Sequence, residues 1–482
     1  MKRLVAWGIA TSLLGYTVGG AAIGVTQSAR SISASDKATG AKAHPELLAE
    51  YGGSYAGPQT AYVRGVGQKI AVQSGLSNSQ SDFTVTLLNS PVNNAFAIPG
   101  GYVYVTRQLL ALMNDEAELA SVLGHEVGHV AARHANKRNT TSTIGSVLAG
   151  VLGAVTGSSA LGQLASSGAQ LVTLRFSRQQ EYQADDLGIQ YLARAGYDPY
   201  AAADMLASLN AQTELDGRIR GGDDQRAVPS WISTHPNGAD RVARARQRAT
   251  TTGIAINDRA RNGDAFLARL DGLLYDDDPA QGMIDGASFR HPALRIGFTA
   301  PAGFRLANSP SAVAISGSGG QAQFGGGSLG AGLPAYIDGV FRGVGGAGSV
   351  STVQQTRVNG IEAAYATTRA TSGQRAVDVT VFAYKTDGNS AYHFLIITPA
   401  GSGIGPFASM VQSFTRLTDA QAAAIRPRRV RVVTVGPNDT VASLSARMGY
   451  ADQKEARFRT INALEGDARL RPGQKVKLIV AG

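Results

Sequence analysis

Between Asp115 and Ala135, apolar residues recur at three- and four-residue steps: Leu119, Val122, Leu123, Val127 and Val130. That spacing predicts an amphipathic helix. Asp115, with Glu118 three residues on, makes a capping-box pattern, and acids fill the first turn, where the helix dipole favours them. A second helix is expected over "RFSRQQEYQADDLGIQYLARAG", with Leu187, Ile189, Leu192 and Ala193 on its core side and Gly196 near its end. Ahead of both, "DFTVTLLN" places Phe83, Val85 and Leu87 on alternate positions, as a half-buried strand does. Phe96 with Ile98, then Tyr102 with Tyr104, form two short β runs parted by Pro99-Gly100-Gly101. Further helices are read over Ala61 to Gln73, at "YAAADMLASLNAQ" and from Asp240-Arg241, and a charged loop over Asp216 to Ala227.

Past residue 255 the pattern changes. Residues 256–291 hold a short amphipathic helix and an acidic break, "YDDDPAQG". In 292–417, "LRIGFTAPAGF", "AVDVTVFAYKT" and "SAYHFLIITPA" alternate like strands, around a glycine-rich loop, "SGSGGQAQFGGGSLGAGLP", and a helical "PAYIDGVFRGV". This reads as a small α+β domain without legible chemistry, and His393 within it as a packed or hydrogen-bonded histidine. Residues 430–482 read as strand, turn, two helices and a final strand, a module with its own logic. The fold class is therefore α+β: a mostly helical domain with a small sheet over 40–255, a linker over 256–291, and the two smaller units.

Composition narrows the chemistry. The 482 residues contain no cysteine, so disulfides, thiolate nucleophiles and cysteine metal sites are all excluded. A metal here must be held by histidine and carboxylate. The net charge of +10 suits anionic partners, but no nucleic-acid-binding signature accompanies it, and a solubilising surface accounts for it. At the start, Lys2 and Arg3 precede an apolar run from Leu4 to Gly15. That is the layout of an export signal over 1–34, or of an uncleaved anchor, and it directs the body to a bacterial periplasm or envelope. The uncharged stretch 139–174 is too rich in Gly, Ser and Thr for a membrane span; it is expected to pack over the site or to touch a membrane surface.

The chemistry sits in "SVLGHEVGHVAARHANKR". With seven histidines and 35 acids in the chain, chance supplies roughly 0.007 matches to His-acid-x-x-His. His125 and His129, four apart on a helix, project from one side and can share a zinc ion, with Glu126 adjacent. A third ligand is required. Were the helix to continue, His134 would point about 140° away from His129, which places it on the helix surface or behind the ligands. Glu181 and Asp185 in "EYQAD" share a face of the later helix: Glu181 can reach the metal, and Asp185 can accept a hydrogen bond from a metal-bound imidazole.

These residues resemble peptidase family M48, zinc metallopeptidases of the gluzincin type. "NAFAIPGGYVYVT", "DEAELASVLGHEVGHVAARH", "FSRQQEYQAD" and "STHP" occur in that family's order over roughly residues 40 to 250. The resemblance implies a zincin-type catalytic domain with one Zn2+. Its ligands would be His125, His129 and Glu181, its base Glu126, and Asp185 a support behind the ligands. Asn94, Ala95, Phe96 and Ala97 look like the edge strand against which a peptide substrate pairs. His235 or Arg241 is the expected donor to the oxyanion; in some relatives the histidine of this segment is thought to cap the zinc and hold the enzyme latent. The implied function is metalloendopeptidase action on envelope proteins, as in protein quality control. The alternative is a wall-binding or chaperone-like protein with a latent zinc site. The C-terminal module resembles a LysM domain through "VTVGPNDT", Asn462 with Leu464, and "LRPGQKVKL", which implies peptidoglycan as a partner. Asn438-Asp439-Thr440 stands where such domains usually carry Gly-Asp-Thr.

Overall fold

The computed structural model describes residues 31–76, 80–135, 176–220, 231, 235, 239–344, 352–372 and 375–482. The export segment up to Arg30, the stretch 139–174 and "STHP" apart from His235 lie outside the described residues.

The architecture is mixed α+β, a helical N-terminal region with a small sheet followed by a β-rich C-terminal region. In chain order the first region holds α1 (Ala34–Glu50), α2 (Gln59–Ala71), β1 (Thr84–Leu88), β2 (Ala95–Ile98), β3 (Tyr102–Thr106), α3 (Arg107–Leu112), α4 (Glu116–Ala131), α5 (Arg178–Ala195), α6 (Ala201–Arg220) and α7 (Ala239–Thr250). Helix α6 runs on through Asp216, where a loop was expected. The sheet order is β1-β3-β2, with β1 parallel and β2 antiparallel to β3, so β2 is an edge strand. Strand β1 is buried beyond its alternating set: Leu88 is as enclosed as Leu87, because α1 covers the second face. The β2–β3 turn needs its glycines. Gly100 and Gly101 hold φ of 93° and 84°, and a Cβ on either would lie 2.7 and 2.5 Å from the carbonyls of Asp36 and Asp82.

The chain continues through α8 (Gly263–Leu270), β4 (Leu274–Tyr275), β5 (Met283–Asp285), β6 (Ser288–His291), β7 (Ile296–Thr299), β8 (Arg305–Asn308), β9 (Val313–Gly317), β10 (Gly320–Ser328), α9 (Leu333–Gly343), β11 (Gln354–Val358), β12 (Ile361–Ser372), β13 (Arg375–Lys385) and β14 (Ser390–Pro399). A seven-stranded antiparallel sheet runs β11-β12-β13-β14-β10-β9-β8. The period of two sorts its faces: Val377, Val379 and Val381 pack under α9, while Phe382 and Tyr384 enter the core on the other side. The glycine-rich stretch is not a loop. It forms β10, paired with β9 and β14 on its two sides, and its glycines admit neighbouring rings; a Cβ on Gly326 would lie 2.6 Å from the Tyr392 ring. His393 is half-buried beside Tyr336, whose hydroxyl is 2.8 Å from Nδ1, and desolvation pushes its pKa down to about 4.

After α10 (Ala408–Ser413), β15 (Thr415–Arg416) and α11 (Asp419–Ala423), the chain ends in β16 (Arg428–Thr434), α12 (Val441–Ser445), α13 (Lys454–Ile461) and β17 (Lys475–Ala481). The strands pair antiparallel, with β16 also bonded to β4. Positions that carry the LysM resemblance have local tasks here. Asn462 exchanges two hydrogen bonds with the backbone of Lys477, and Thr440 caps α12. Val430, Leu444, Phe458, Val476 and Leu478 belong to one continuous core with Val63, Leu109 and Leu123 of the helical region.

Candidate metal centre

Helix α4 begins as its sequence requires. Asp115 accepts from the Glu118 amide at 2.8 Å, although the Glu118 carboxylate turns instead to the Asn114 amide at 2.7 Å. Its other face meets α5 at very short range, because glycines line the seam. A Cβ on Gly128 would lie 3.0 Å from the Ala184 carbonyl oxygen, and one on Gly188 would lie 3.0 Å from the His125 nitrogen. This approach carries Glu181 and Asp185 to the histidines.

The His125, His129, Glu181 and His235 side chains are all buried and each offers one ligand atom, with all four atoms within 4.8 Å of one another. His125 Nε2 is 3.5 Å from Glu181 Oε2, and His129 Nε2 is 3.6 Å from Glu181 Oε1. The His125 Nδ1–H donates to Asp185 at 2.9 Å, which leaves Nε2 facing the cluster. Arg241 grips Asp185 with two nitrogens, at 2.9 and 2.7 Å, and sets Nη1 3.1 Å from Glu181. Its guanidinium is thus engaged in holding the acidic pair of α5.

His235 lies inside the cluster. Its Nδ1 is 3.0 Å from Glu181 and 3.2 Å from His125 Nε2, and its Nε2 is 3.5 Å from Glu126. Trp231 stacks on it at 4.7 Å between centroids and donates its indole N–H to Glu126 at 3.3 Å. The other Glu126 oxygen, Oε2, is buried with no hydrogen-bond partner among the described residues. Phe176 stacks on His129 at 3.9 Å. Sequence reasoning missed both aromatics. For Trp231 a signal existed, since it stands four residues before His235 and the two are joined by an i to i+4 backbone bond.

His134 does not stand on a continuing helix. Helix α4 ends at Ala131, and Arg133 takes a left-handed φ of 52°, so the chain folds back instead of continuing. The His134 ring then sits behind His129, Nδ1 to Nδ1 at 2.9 Å, fully buried.

Charge agrees with a cation site. Burial opposes ionisation of Glu181, yet His235 and His125 hold its pKa far below the ordinary carboxylate range. Burial likewise opposes a charge on His125, but Asp185 and Glu181 outweigh it and lift the pKa to about 9. His129 is pushed well below the usual imidazole value, by burial first and then by the His125 charge. Within the protein alone, the anionic pocket draws a proton onto a ligand. Three imidazole nitrogens and a carboxylate, all buried, fit Zn2+.

Residues 58–249 match the model of Peptidase family M48. Among curated relatives, the chain is 33% identical over 201 residues to the beta-barrel assembly-enhancing protease of Escherichia coli O157:H7, which is 39% of either chain. It is 36% identical over 157 residues to the mitochondrial metalloendopeptidase OMA1 of Arabidopsis thaliana, 33% of this chain and 30% of that one. A third, the metalloprotease LoiP of Escherichia coli strain K12, is 34% identical over 165 residues, 33% of this chain and 60% of that one. The matched stretch thus covers 30% to 60% of the length of these relatives, and the metal-site residues 125, 126, 129, 181 and 235 all lie within the family match.

The supposed substrate strand, Asn94 to Ala97, is enclosed: Asn94 and Ala95 have no exposed surface, and Phe96 and Ala97 have 3% and 7%. Beside it, a cleft of about 460 Å³ opens between Ile98, Pro99, His129, Val130 and Phe176.

Proposed function

We propose that this protein is a zinc metalloendopeptidase of the M48 type that cleaves proteins of a bacterial envelope, in the manner of a quality-control protease. The observation that carries the reading is Oε2 of Glu126, without a hydrogen-bond partner among the described residues, beside a buried set of two histidines and Glu181. A buried carboxylate oxygen left without a donor is costly unless a ligand supplies one. Bound by His125, His129 and Glu181, a zinc ion would polarise a substrate carbonyl and acidify a water. Glu126 would accept a proton from the attacking water and return it to the leaving amine. Strand β2 lies at the edge of its sheet, and in this reading an extended peptide would pair along Asn94 to Ala97, which are enclosed in this structure.

His235 sits inside the ligand cluster, so in this reading it would cap the metal of a latent enzyme. Once displaced, His235 can serve the oxyanion. The envelope location is supported by the basic-then-apolar stretch at residues 2–15; no helix among the described residues is long and apolar enough to cross a membrane. The strand-helix-helix-strand order of the C-terminal module is compatible with LysM-type glycan binding, and a pull-down on purified sacculi tests it.

The deciding experiment is cleavage of unfolded casein by the full chain. Wild type should cut, chelation should stop it, and Glu126→Gln should abolish cleavage while zinc content persists. A Glu126→Gln protein that cleaves at the wild-type rate ends the proposal.

A further inference from the structure

We propose that His134 and Gln183 form a neutral relay that fixes which nitrogen of His129 is free to bind metal. The inference rests on the zinc reading above. Each ligand histidine must bind through Nε2, since those are the atoms facing Glu181, and must therefore carry its proton on Nδ1. For His125 the acceptor of that proton is the Asp185 carboxylate. For His129 it is the ring nitrogen of another histidine, His134 Nδ1 at 2.9 Å.

A neutral imidazole can accept at one nitrogen only if it is protonated at the other. His134 Nε2 lies 3.0 Å from Gln183 Oε1, an atom that can only accept. Gln183 therefore holds the proton on His134 Nε2, which leaves Nδ1 as an acceptor, which in turn holds the proton of His129 on Nδ1. The opposite polarity, with the Gln183 amide donating, would end with a proton on His129 Nε2, the atom aimed at Glu181. One glutamine orientation, two tautomers and one open ligand site are thereby linked.

The geometry exists because the helix stops. Had α4 continued past Ala131, His134 would lie on its far side; the left-handed Arg133 returns the ring beneath His129. Phe176 stacks on one face of His129, while His134 meets that ring at its edge. His134 is then a positioning residue that touches neither substrate nor metal, and Gln183 acts one step further out. The two ligands also differ in kind: His125 is backed by a charge and His129 by a neutral ring, which keeps the site from accumulating one anion too many.

The test measures zinc affinity of the full chain by chelator competition, together with the tautomer of His129 by 15N histidine NMR in zinc-free protein. His134→Phe fills the space without an acceptor and should weaken zinc binding about 10- to 100-fold, with His129 shifting toward the Nε2–H form. His134→Asn, whose side-chain oxygen replaces Nδ1, should stay within about threefold of wild type. Gln183→Leu should weaken binding, whereas Gln183→Glu, still an acceptor, should not. A role in packing alone would make the two Gln183 variants alike. Glu181→Ala is the control. If it weakens zinc binding and His134→Phe leaves both affinity and tautomer unchanged, the relay is refuted. If neither variant alters zinc binding, the metal-site reading itself has failed.

Discussion

Lys477 offers the sharpest test of how the parts of this chain depend on each other. It stands on β17, at the far end of the sequence from the metal helix, yet it is wholly buried, and its ammonium donates to the carbonyls of Ala111, Leu112 and Met113 at 2.8, 3.2 and 2.6 Å. Those are the terminal carbonyls of α3, which no intrahelical amide can satisfy. Just beyond them α4 starts, and its Glu118 is the acidic group that most favours the ammonium, ahead of Asp115. Lys477→Met keeps the methylenes and removes the donor. Three charge-assisted bonds are worth on the order of 1.5–3 kcal/mol each, and the desolvation that the lysine no longer suffers returns several kcal/mol. The orphaned carbonyls and the lost attraction to Glu118 leave a net loss of about 3–5 kcal/mol. At about 2–3 °C per kcal/mol the melting temperature should fall by roughly 6–15 °C.

The assay is differential scanning fluorimetry of the full chain, with Lys475→Met as the control. Lys475 lies two residues away, partly exposed, 4.0 Å from Asp264, and its loss should cost less than about 1 kcal/mol. Peptidase activity should fall with the same temperature dependence as the melting. A Lys477→Met protein that melts within 2 °C of wild type, on the order of 1 kcal/mol or less, would refute the claim that the C-terminal strand supports the metal helix.

Three further outcomes are expected. Glu181→Ala should lower bound zinc, measured by atomic emission, along with activity; full zinc occupancy would move the third ligand elsewhere. Gly128→Val forces α4 and α5 apart at a seam where a Cβ would already lie 3.0 Å from the Ala184 carbonyl. It should cost about 1–3 kcal/mol in stability and lower zinc content as well, and an unchanged melting temperature would contradict the packing argument. Burial raises the Glu50 pKa to about 7, so the folded state keeps a proton that the unfolded chain releases near 4.5. Its contribution is intact below about pH 4.5 and disappears as pH rises through 7. Glu50→Gln should therefore stabilise by about 1–3 kcal/mol at pH 8 and by nothing at pH 4; equal melting temperatures at pH 8 would exclude it.

How much of this could be read beforehand depends on the distance over which each feature is determined. The His125-Glu126-x-x-His129 spacing, the Asp115 cap and the Glu181/Asp185 pair were legible because they obey helix periodicity within single segments. The β2–β3 turn was legible from Pro99-Gly100-Gly101. Strand β10 was not, since its glycines look like a loop until two flanking strands and the rings of Tyr392 and His393 claim the space beside them. Lys477, in a run that alternates like any edge strand, gave no sign of burial, because its partners are more than 360 residues away in sequence. His134 is the most instructive case. Extending the helix by its own period sends that ring away from the site, and the reversal comes from one residue, Arg133, in a conformation that arginine seldom adopts. Backbone strain of this kind persists only where surrounding contacts outweigh it. Here those contacts include the bonds from His134 to His129 and Gln183, so the interactions that order the ligand also help to hold the bend that makes them possible.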